Sequence, residues 1–110
     1  MKMILYHNKN CSKSRECLSI LTQKKINFEV RDYMKENLTL NEIKNLINNL
    51  KSELKEIIRD KKLFDTTKII NKDELSNHLF QNPKNMQRPI FFNGTNYYIC
   101  RPPELVKELI

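Results

Sequence analysis

The pattern of apolar and polar positions predicts a strand, a helix and a second strand in the first third of the chain. Residues 2–6 form a short, mostly apolar run that predicts a strand, and residues 12–25 place apolar side chains at helical spacing. The stretch "NFEVRDY", residues 27–33, is rich in β-branched and aromatic side chains and predicts another strand. A strand, a helix and a strand in this order imply a parallel strand pair joined by a right-handed crossover.

The middle of the chain carries helical signals. A capping box, "TLNE", begins at Thr39 and is followed by apolar positions at helical spacing. The stretch "SELKEIIRD", residues 52–60, predicts a second helical piece that ends near the basic pair at 61–62, because cations favour a helix C-terminus. Asn71 predicts the start of a further helix, which Pro83 ends.

The last part of the chain predicts a hairpin followed by a helix. In "RPIFFNGTNYYIC", two β-rich runs flank Asn93 and Gly94, the single glycine of the chain, so the turn of an antiparallel pair is expected there. The terminal "RPPELVKELI" predicts a helix opened by Pro102 and Pro103, since proline is tolerated in the first turn. Together these elements predict an α/β fold.

Length and composition indicate one globular domain over residues 1–110. The chain is 39% hydrophobic and 30% charged, which favours a folded core over disorder. No apolar run approaches the roughly 20 residues that span a bilayer, and no stretch has the build of a signal peptide. We therefore expect a cytoplasmic protein without a membrane segment.

The net charge of +7 would allow a nucleic-acid partner or a site for a small anion. Most of the positive charge comes from lysines scattered along the chain, and scattered lysines are typical of solvated faces. The bulk charge therefore gives no reason to expect nucleic-acid binding. The chain has only five arginines, and these are more informative than its lysines.

Cys11 is the strongest candidate for chemistry. It lies in "YHNKNCSKSREC", where a predicted strand meets a predicted helix and where cationic side chains follow at Lys13 and Arg15. The N–H groups and dipole of a helix N-terminus stabilise a thiolate, which is the nucleophilic form of cysteine. The alternative is a buried, inert cysteine, against which the polar neighbours argue.

The other two cysteines have apolar surroundings. Cys17 and Cys100 are predicted to belong to the core, with a place near the site as the alternative for Cys100 because it precedes Arg101. Three cysteines at irregular spacing fit free thiols better than disulfides. The chain has no Cys-x-x-Cys or Cys-x-x-His pair, so no zinc or other metal site is predicted. Ser14 occupies the place where a dithiol oxidoreductase keeps its second cysteine, so an adduct on Cys11 would need an external thiol.

Three separated motifs, "YHNKNCSKSR", "RPI" and "CRPPE", resemble the glutaredoxin-coupled arsenate reductase family, and the resemblance covers essentially the whole chain. It implies a thioredoxin-like fold with a central mixed four-stranded sheet flanked by helices and a helical insertion at about 39–82. It also implies that Cys11 attacks arsenate and that His7 and Ser14 help to hold its thiolate. For His7, a neutral ring satisfied by the backbone is the alternative.

The resemblance further implies an anion site made of three arginines, in the contexts "IIRDK", "QRPI" and "CRPPE": Arg59, Arg88 and Arg101. A guanidinium fork can bind a tetrahedral oxyanion with two hydrogen bonds, which an ammonium cannot match. Chance placement of surface arginines is the alternative. A cis peptide bond before Pro89 is also implied, because thioredoxin-like folds place a cis-proline opposite the reactive cysteine.

The function implied by the resemblance is reduction of arsenate to arsenite by a monomeric enzyme. Glutathione would be the co-substrate and glutaredoxin the protein partner, with no bound cofactor. One alternative is a glutathione-dependent thiol reductase of another substrate. The other is an Spx-like regulator that binds RNA polymerase, although that pattern usually has a Cys-x-x-Cys motif and this chain has Ser14.

Overall fold

The computed structural model describes residues 2–110, and within them four strands form one mixed sheet. In chain order the strands are β1 (Ile4–His7), β2 (Glu29–Asp32), β3 (Ile90–Phe92) and β4 (Tyr97–Ile99). The spatial order is β2-β1-β3-β4. β1 runs parallel to β2 and antiparallel to β3, and β4 is antiparallel to β3. The predicted mixed sheet of four strands is confirmed.

Helical segments cover both faces of this sheet. The α-helices are α1 (Ser12–Gln23), α2 (Leu40–Asn48) and α3 (Lys72–Gln81), and 3-10 helices span Leu54–Ile57, Pro83–Asn85 and Pro103–Leu109. The segments between β2 and β3 occupy the region where the resemblance implies a helical insertion. None of the helices within residues 2–110 is long and apolar enough to cross a membrane.

Alternation along the strands divides the apolar side chains between two cores. Leu5 and Phe91 point to the face covered by α1 and the 103–109 helix, where Val106 is also buried. Tyr6 and Ile90 form the neighbouring pair in the register of β1 and β3, and both point to the face covered by α2 and α3. Because side chains alternate across a pleated strand, one short sheet can support both layers.

Local signals set the starts of α2 and α3. The Glu42 N–H donates to Thr39 Oγ1 at 3.1 Å, and the Thr39 N–H donates to Glu42 Oε1 at 2.9 Å, so the predicted capping box is present. The Glu74 N–H donates to Asn71 Oδ1 at 3.0 Å, which caps α3 as predicted. Both caps satisfy N–H groups that a helix start leaves free.

The helix predicted over residues 52–60 is wrong: only Leu54–Ile57 is helical, and it is a 3-10 helix. Ile58 is extended and forms an antiparallel bridge with Met86. Ile57 and Ile58 are 0% and 1% exposed. Both neighbouring side chains are buried because the backbone leaves the helical conformation between them. Tertiary burial thus overrides the local helical preference.

The first and second strands also differ from their predicted bounds, since β1 covers 4–7 rather than 2–6 and β2 covers 29–32 rather than 27–33. The hairpin turn is as predicted, because Gly94 has a φ of 102°, a conformation that favours glycine. The final helix begins at Pro103, as expected from the two prolines, but it is of the 3-10 type.

Asn85 ties the irregular segment after the first 3-10 helix to the segment that leads into β3. Its Oδ1 accepts from the Asp60 N–H at 2.7 Å, and its Nδ2 lies 2.8 Å from Nε2 of His78. Its backbone carbonyl accepts from the Arg59 N–H at 3.0 Å. The side chain is 3% exposed, so these bonds are shielded from water and fix the backbone at Arg59.

We predict that Asn85→Ala lowers the free energy of unfolding by about 1–3 kcal/mol, because it leaves the partly buried Asp60 N–H without its acceptor. Urea unfolding followed by circular dichroism measures the change. Asn41→Ala, on the exposed side of α2, is the control and should change stability by less than about 0.5 kcal/mol. Equal stability of the two variants would show that the Asn85 contacts do not hold this segment.

Candidate active site

Cys11 is the N-cap residue of α1, with a φ of −104° and a ψ of 122°. Its backbone N–H donates to the Asn8 carbonyl at 3.0 Å, and the Asn10 N–H donates to Asn8 Oδ1 at 3.0 Å. These two bonds hold the loop between β1 and α1 in a tight turn. The thiol therefore lies in front of the free N–H groups of the first helical turn, and it is partly exposed.

The surroundings of Cys11 favour its thiolate. Burial raises the pKa of the Cys11 thiol, but the backbone N–H groups of Ser14 and Lys13 and the guanidinium groups of Arg101 and Arg88 outweigh burial. The net shift of the pKa is downward. Nη1 of Arg101 lies 3.9 Å from Cys11 Sγ. A partly exposed thiol with a lowered pKa is the form of cysteine that reacts as a nucleophile.

His7 and Ser14 form a buried pair behind the thiol. His7 Nδ1 lies 2.7 Å from Ser14 Oγ, and Ser14 Oγ also accepts from the Asn8 N–H at 3.0 Å. Burial lowers the pKa of His7, and the charge of Arg15 acts in the same direction, so the ring is neutral near pH 7. The backbone N–H of Ser14 interacts with the Cys11 thiol, while the Ser14 hydroxyl is hydrogen-bonded to His7.

Arg88 and Arg101 are brought together at the start of β3 and the end of β4. Nη1 of Arg101 donates to the Arg88 carbonyl at 2.8 Å. Nη1 of Arg88 donates to the Lys84 carbonyl at 2.8 Å and to the Met86 carbonyl at 3.3 Å. These backbone acceptors orient both guanidinium groups beside the thiol, and an oriented fork loses less freedom when it binds an anion.

The Arg88–Pro89 peptide bond is cis, the form that the resemblance implies for it, and the Arg101–Pro102 bond is cis as well. Both bonds follow an arginine of the candidate anion site. The second was not expected from the sequence.

Arg59 follows Ile58, and its backbone N–H is bonded to the Asn85 carbonyl. It is exposed and lines a cavity of about 500 Å³ together with Met34, Leu63 and Lys84. Within residues 2–110 no hydrogen bond joins Arg59 to Cys11, but the Arg59 charge acts on the Tyr33 hydroxyl, as do those of Arg88 and Cys11. Arg88 and Arg101 are therefore brought together beside Cys11, while the approach of Arg59 to the thiol stays a prediction.

Tyr33 is a site residue that the sequence reasoning missed. It follows β2 directly, is 1% exposed, and its hydroxyl lies beside the Arg88 guanidinium. Burial raises the pKa of Tyr33 to about 12, so the hydroxyl keeps its proton. The signal was available, because the ends of parallel strands meet at one edge of a sheet and β2 is the parallel neighbour of β1.

The remaining cysteines belong to the core, as predicted. Cys17 and Cys100 are both 0% exposed and pack in the apolar cluster beneath α1. Contact with the Cys100 thiol and burial both raise the pKa of Cys17. Neither thiol has the exposure that would let it react with a substrate.

Arg31 lies outside the site. Its guanidinium pairs with Glu36 at 3.0 Å and with Glu42 at 3.2 Å, so its role is in the packing of α2. The described part of the chain contains no group of three or more His, Cys, Asp or Glu side chains arranged to hold a metal ion. The arrangement is suited to a thiolate reacting with an anion.

The ArsC family model matches residues 6–109. An arsenate reductase of Haemophilus influenzae is 33% identical over 116 residues, which cover 100% of both chains. The YfgD protein of Escherichia coli is 32% identical, with 96% of this chain and 94% of that protein covered. The structure of an arsenate reductase from Vibrio cholerae matches with a TM-score of 0.85 at 31% identity, covering 100% of this chain and 98% of that chain. The thioredoxin-like fold is thereby confirmed.

We predict that iodoacetamide modifies Cys11 first, and at a lower pH than it modifies an ordinary thiol. Only the thiolate reacts, and the thiolate fraction rises as the pH passes the pKa, which for Cys11 is lowered. Arg101→Ala should move the rise in rate to higher pH, since a cation that favours the thiolate is lost. Alkylation rates against pH, measured by mass spectrometry of each cysteine peptide, provide the check.

Arg31→Ala is the control for this shift, because the Arg31 charge is paired with carboxylates away from the thiol. Its alkylation profile should coincide with that of the wild type. Faster modification of Cys17 or Cys100 than of Cys11 would contradict the assignment of Cys11 as the reactive thiol.

Proposed function

The chain belongs to the ArsC family, and on that basis we propose that it reduces arsenate to arsenite through the thiolate of Cys11. The observation that carries the proposal is the position of Cys11 Sγ, at the N-terminus of α1 and 3.9 Å from Nη1 of Arg101. A nucleophile beside fixed guanidinium groups is what attack on an oxyanion requires.

Arg59, Arg88 and Arg101 bind the oxyanion in this proposal. Attack by one anion on another is opposed by charge repulsion, and cations placed around both groups in advance remove that opposition. Bidentate guanidinium contacts also orient the arsenic atom toward the sulfur. His7 and Ser14 act behind the thiol, where their buried pairing fixes the loop and the first turn of α1.

The first step forms a bond between Cys11 Sγ and arsenic and breaks one As–O bond, and the oxygen leaves as water after it takes up protons. In the second step the glutathione thiolate attacks Cys11 Sγ. The electron pair of the S–As bond passes to arsenic, which leaves as arsenite, and Cys11 remains in a mixed disulfide with glutathione. Two electrons from the two sulfurs have then reduced As(V) to As(III).

Glutaredoxin completes the cycle when its thiolate attacks the glutathione sulfur and Cys11 leaves as thiolate. The lowered pKa of Cys11 makes it a good leaving group in this step. An external reductant is supported by the two other cysteines, both fully buried, and by Ser14 in the place of a second reactive thiol. Free cysteines suit a protein that works in the reducing cytoplasm, and in this proposal it acts there as a monomer.

We predict that the purified protein forms arsenite from arsenate in the presence of glutathione and glutaredoxin, and that Cys11→Ser abolishes this activity. Cys17→Ser should retain most of it, because the Cys17 thiol is buried in the core. Oxidation of NADPH, coupled through glutathione reductase, measures the turnover. Absence of arsenate-dependent turnover in the wild type would reject arsenate as the substrate and favour a thiol reductase of another substrate.

We also predict that arsenate protects Cys11 from iodoacetamide, and that replacing any one of the three arginines with Ala weakens this protection. Losing one charge-assisted contact costs about 1.5–3 kcal/mol, roughly tenfold to a hundredfold in the protection constant. Arg88→Lys should rescue only in part, since the charge remains and the fork does not. Arg31→Ala should behave as the wild type, and a loss of protection in that variant would contradict a specific anion site.

A further inference from the structure

Two buried donors at the edge of the candidate site have no hydrogen-bond partner among residues 2–110: the Tyr33 hydroxyl and Arg88 Nε. Buried polar atoms in folded proteins are nearly always paired, because an unpaired one is destabilising. The two donors also belong to neighbouring side chains, since the Arg88 guanidinium faces the oxygen of the Tyr33 hydroxyl and acts to lower its pKa, which leaves the hydroxyl proton without an acceptor. Their joint occurrence points to an acceptor that arrives from outside the chain.

Within residues 2–110 no acceptor is bonded to either donor, although the buried Gln87 Oε1 also has no partner. Nη1 of Arg88 donates hydrogen bonds to the carbonyls of Lys84 and Met86, and these two bonds fix the plane of the guanidinium. A guanidinium has only donors, so it cannot accept the proton of the Tyr33 hydroxyl. A small molecule with several acceptor oxygens would satisfy both groups at once.

We propose that the Tyr33 hydroxyl binds the oxyanion directly, as a neutral donor that completes the site formed by the arginines. This inference rests on the proposed function and adds to it a residue that the resemblance does not assign. The hydroxyl donates its proton to one oxygen of the anion, and Arg88 Nε donates to the same or an adjacent oxygen.

The location of Tyr33 makes the donor rigid. It is the first residue after β2, whose Asp32 is in register with His7 of β1, and its ring is buried in the core shared with α2 and α3. A donor held in this way is preorganised for an acceptor at one place. The charges of Arg88, Cys11 and Arg59 all act on the hydroxyl, so an anion bound to it would share its surroundings with the thiol.

A neutral donor contributes to anion binding in a different way from the three arginines of the site. Tyr33 keeps its proton at physiological pH, because burial raises its pKa to about 12. It can therefore donate to an oxygen of the anion without adding charge to the site. Such a contact favours ligands that have an acceptor oxygen at that position over other anions of equal charge.

Tyr33→Phe separates this role from a structural one. The substitution removes a single oxygen that has no partner in the described part of the chain, so the melting temperature of the free protein should stay equal or rise. Binding should nevertheless weaken, since the lost bond exists only with the anion present. A hydroxyl that merely stabilised the fold would show the opposite pattern.

The experiment measures protection of Cys11 from iodoacetamide by arsenate, together with melting temperatures with and without arsenate. For Tyr33→Phe we expect about tenfold weaker protection, the size of one hydrogen bond to a charged group, and a smaller rise in melting temperature on adding arsenate. Tyr98→Phe is the control, because Tyr98 lies on the opposite face of the sheet, and it should match the wild type in both measurements.

Equal protection in Tyr33→Phe and wild type would overturn this inference and leave the proposed function in place. Absence of protection in the wild type would overturn both. The pH profile of alkylation without arsenate supplies a third outcome. If Tyr33→Phe moves that profile to higher pH, the hydroxyl serves the Cys11 thiolate and not the anion, and the inference is wrong.

Discussion

The interaction on which the site depends is the one between Cys11 Sγ and the first turn of α1. A helix start leaves N–H groups without partners, and here those of Lys13 and Ser14 point at a thiol. This contact favours the thiolate and also satisfies the helix, so the reactive form of the cysteine and the stability of α1 support each other. Burial opposes the thiolate, and the N–H groups together with Arg101 and Arg88 outweigh that opposition.

The sheet gathers the remaining groups around that sulfur. Because β1 and β2 are parallel, their ends bring the loop before α1 and Tyr33 to the same edge. Because β3 and β4 are antiparallel, Arg88 before one strand and Arg101 after the other also lie there. Four short strands are therefore enough to assemble groups that are far apart in the sequence.

The resulting site is costly for the fold, as sites that bind a charged ligand commonly are. It collects positive charge and, within residues 2–110, leaves two buried donors without acceptors at Tyr33 and Arg88. Compensation comes from ordinary interactions elsewhere in the fold, among them the bonds of the Asn85 side chain and the capping box at Thr39. An anion that enters the site would relieve both the charge and the unsatisfied donors, which gives it binding energy without a large conformational change.

Features that depend on local interactions could be predicted from the sequence: the caps at Thr39 and Asn71, the glycine turn of the hairpin and the helix start at Cys11. Each depends on residues a few positions apart. The end of the helix at Ile57, the burial of Tyr33 and the location of Arg59 were decided only in the tertiary structure. They depend on partners in distant segments, such as Met86 and Asn85. A local pattern of side chains cannot predict which distant segment will supply a bridge or a hydrogen bond.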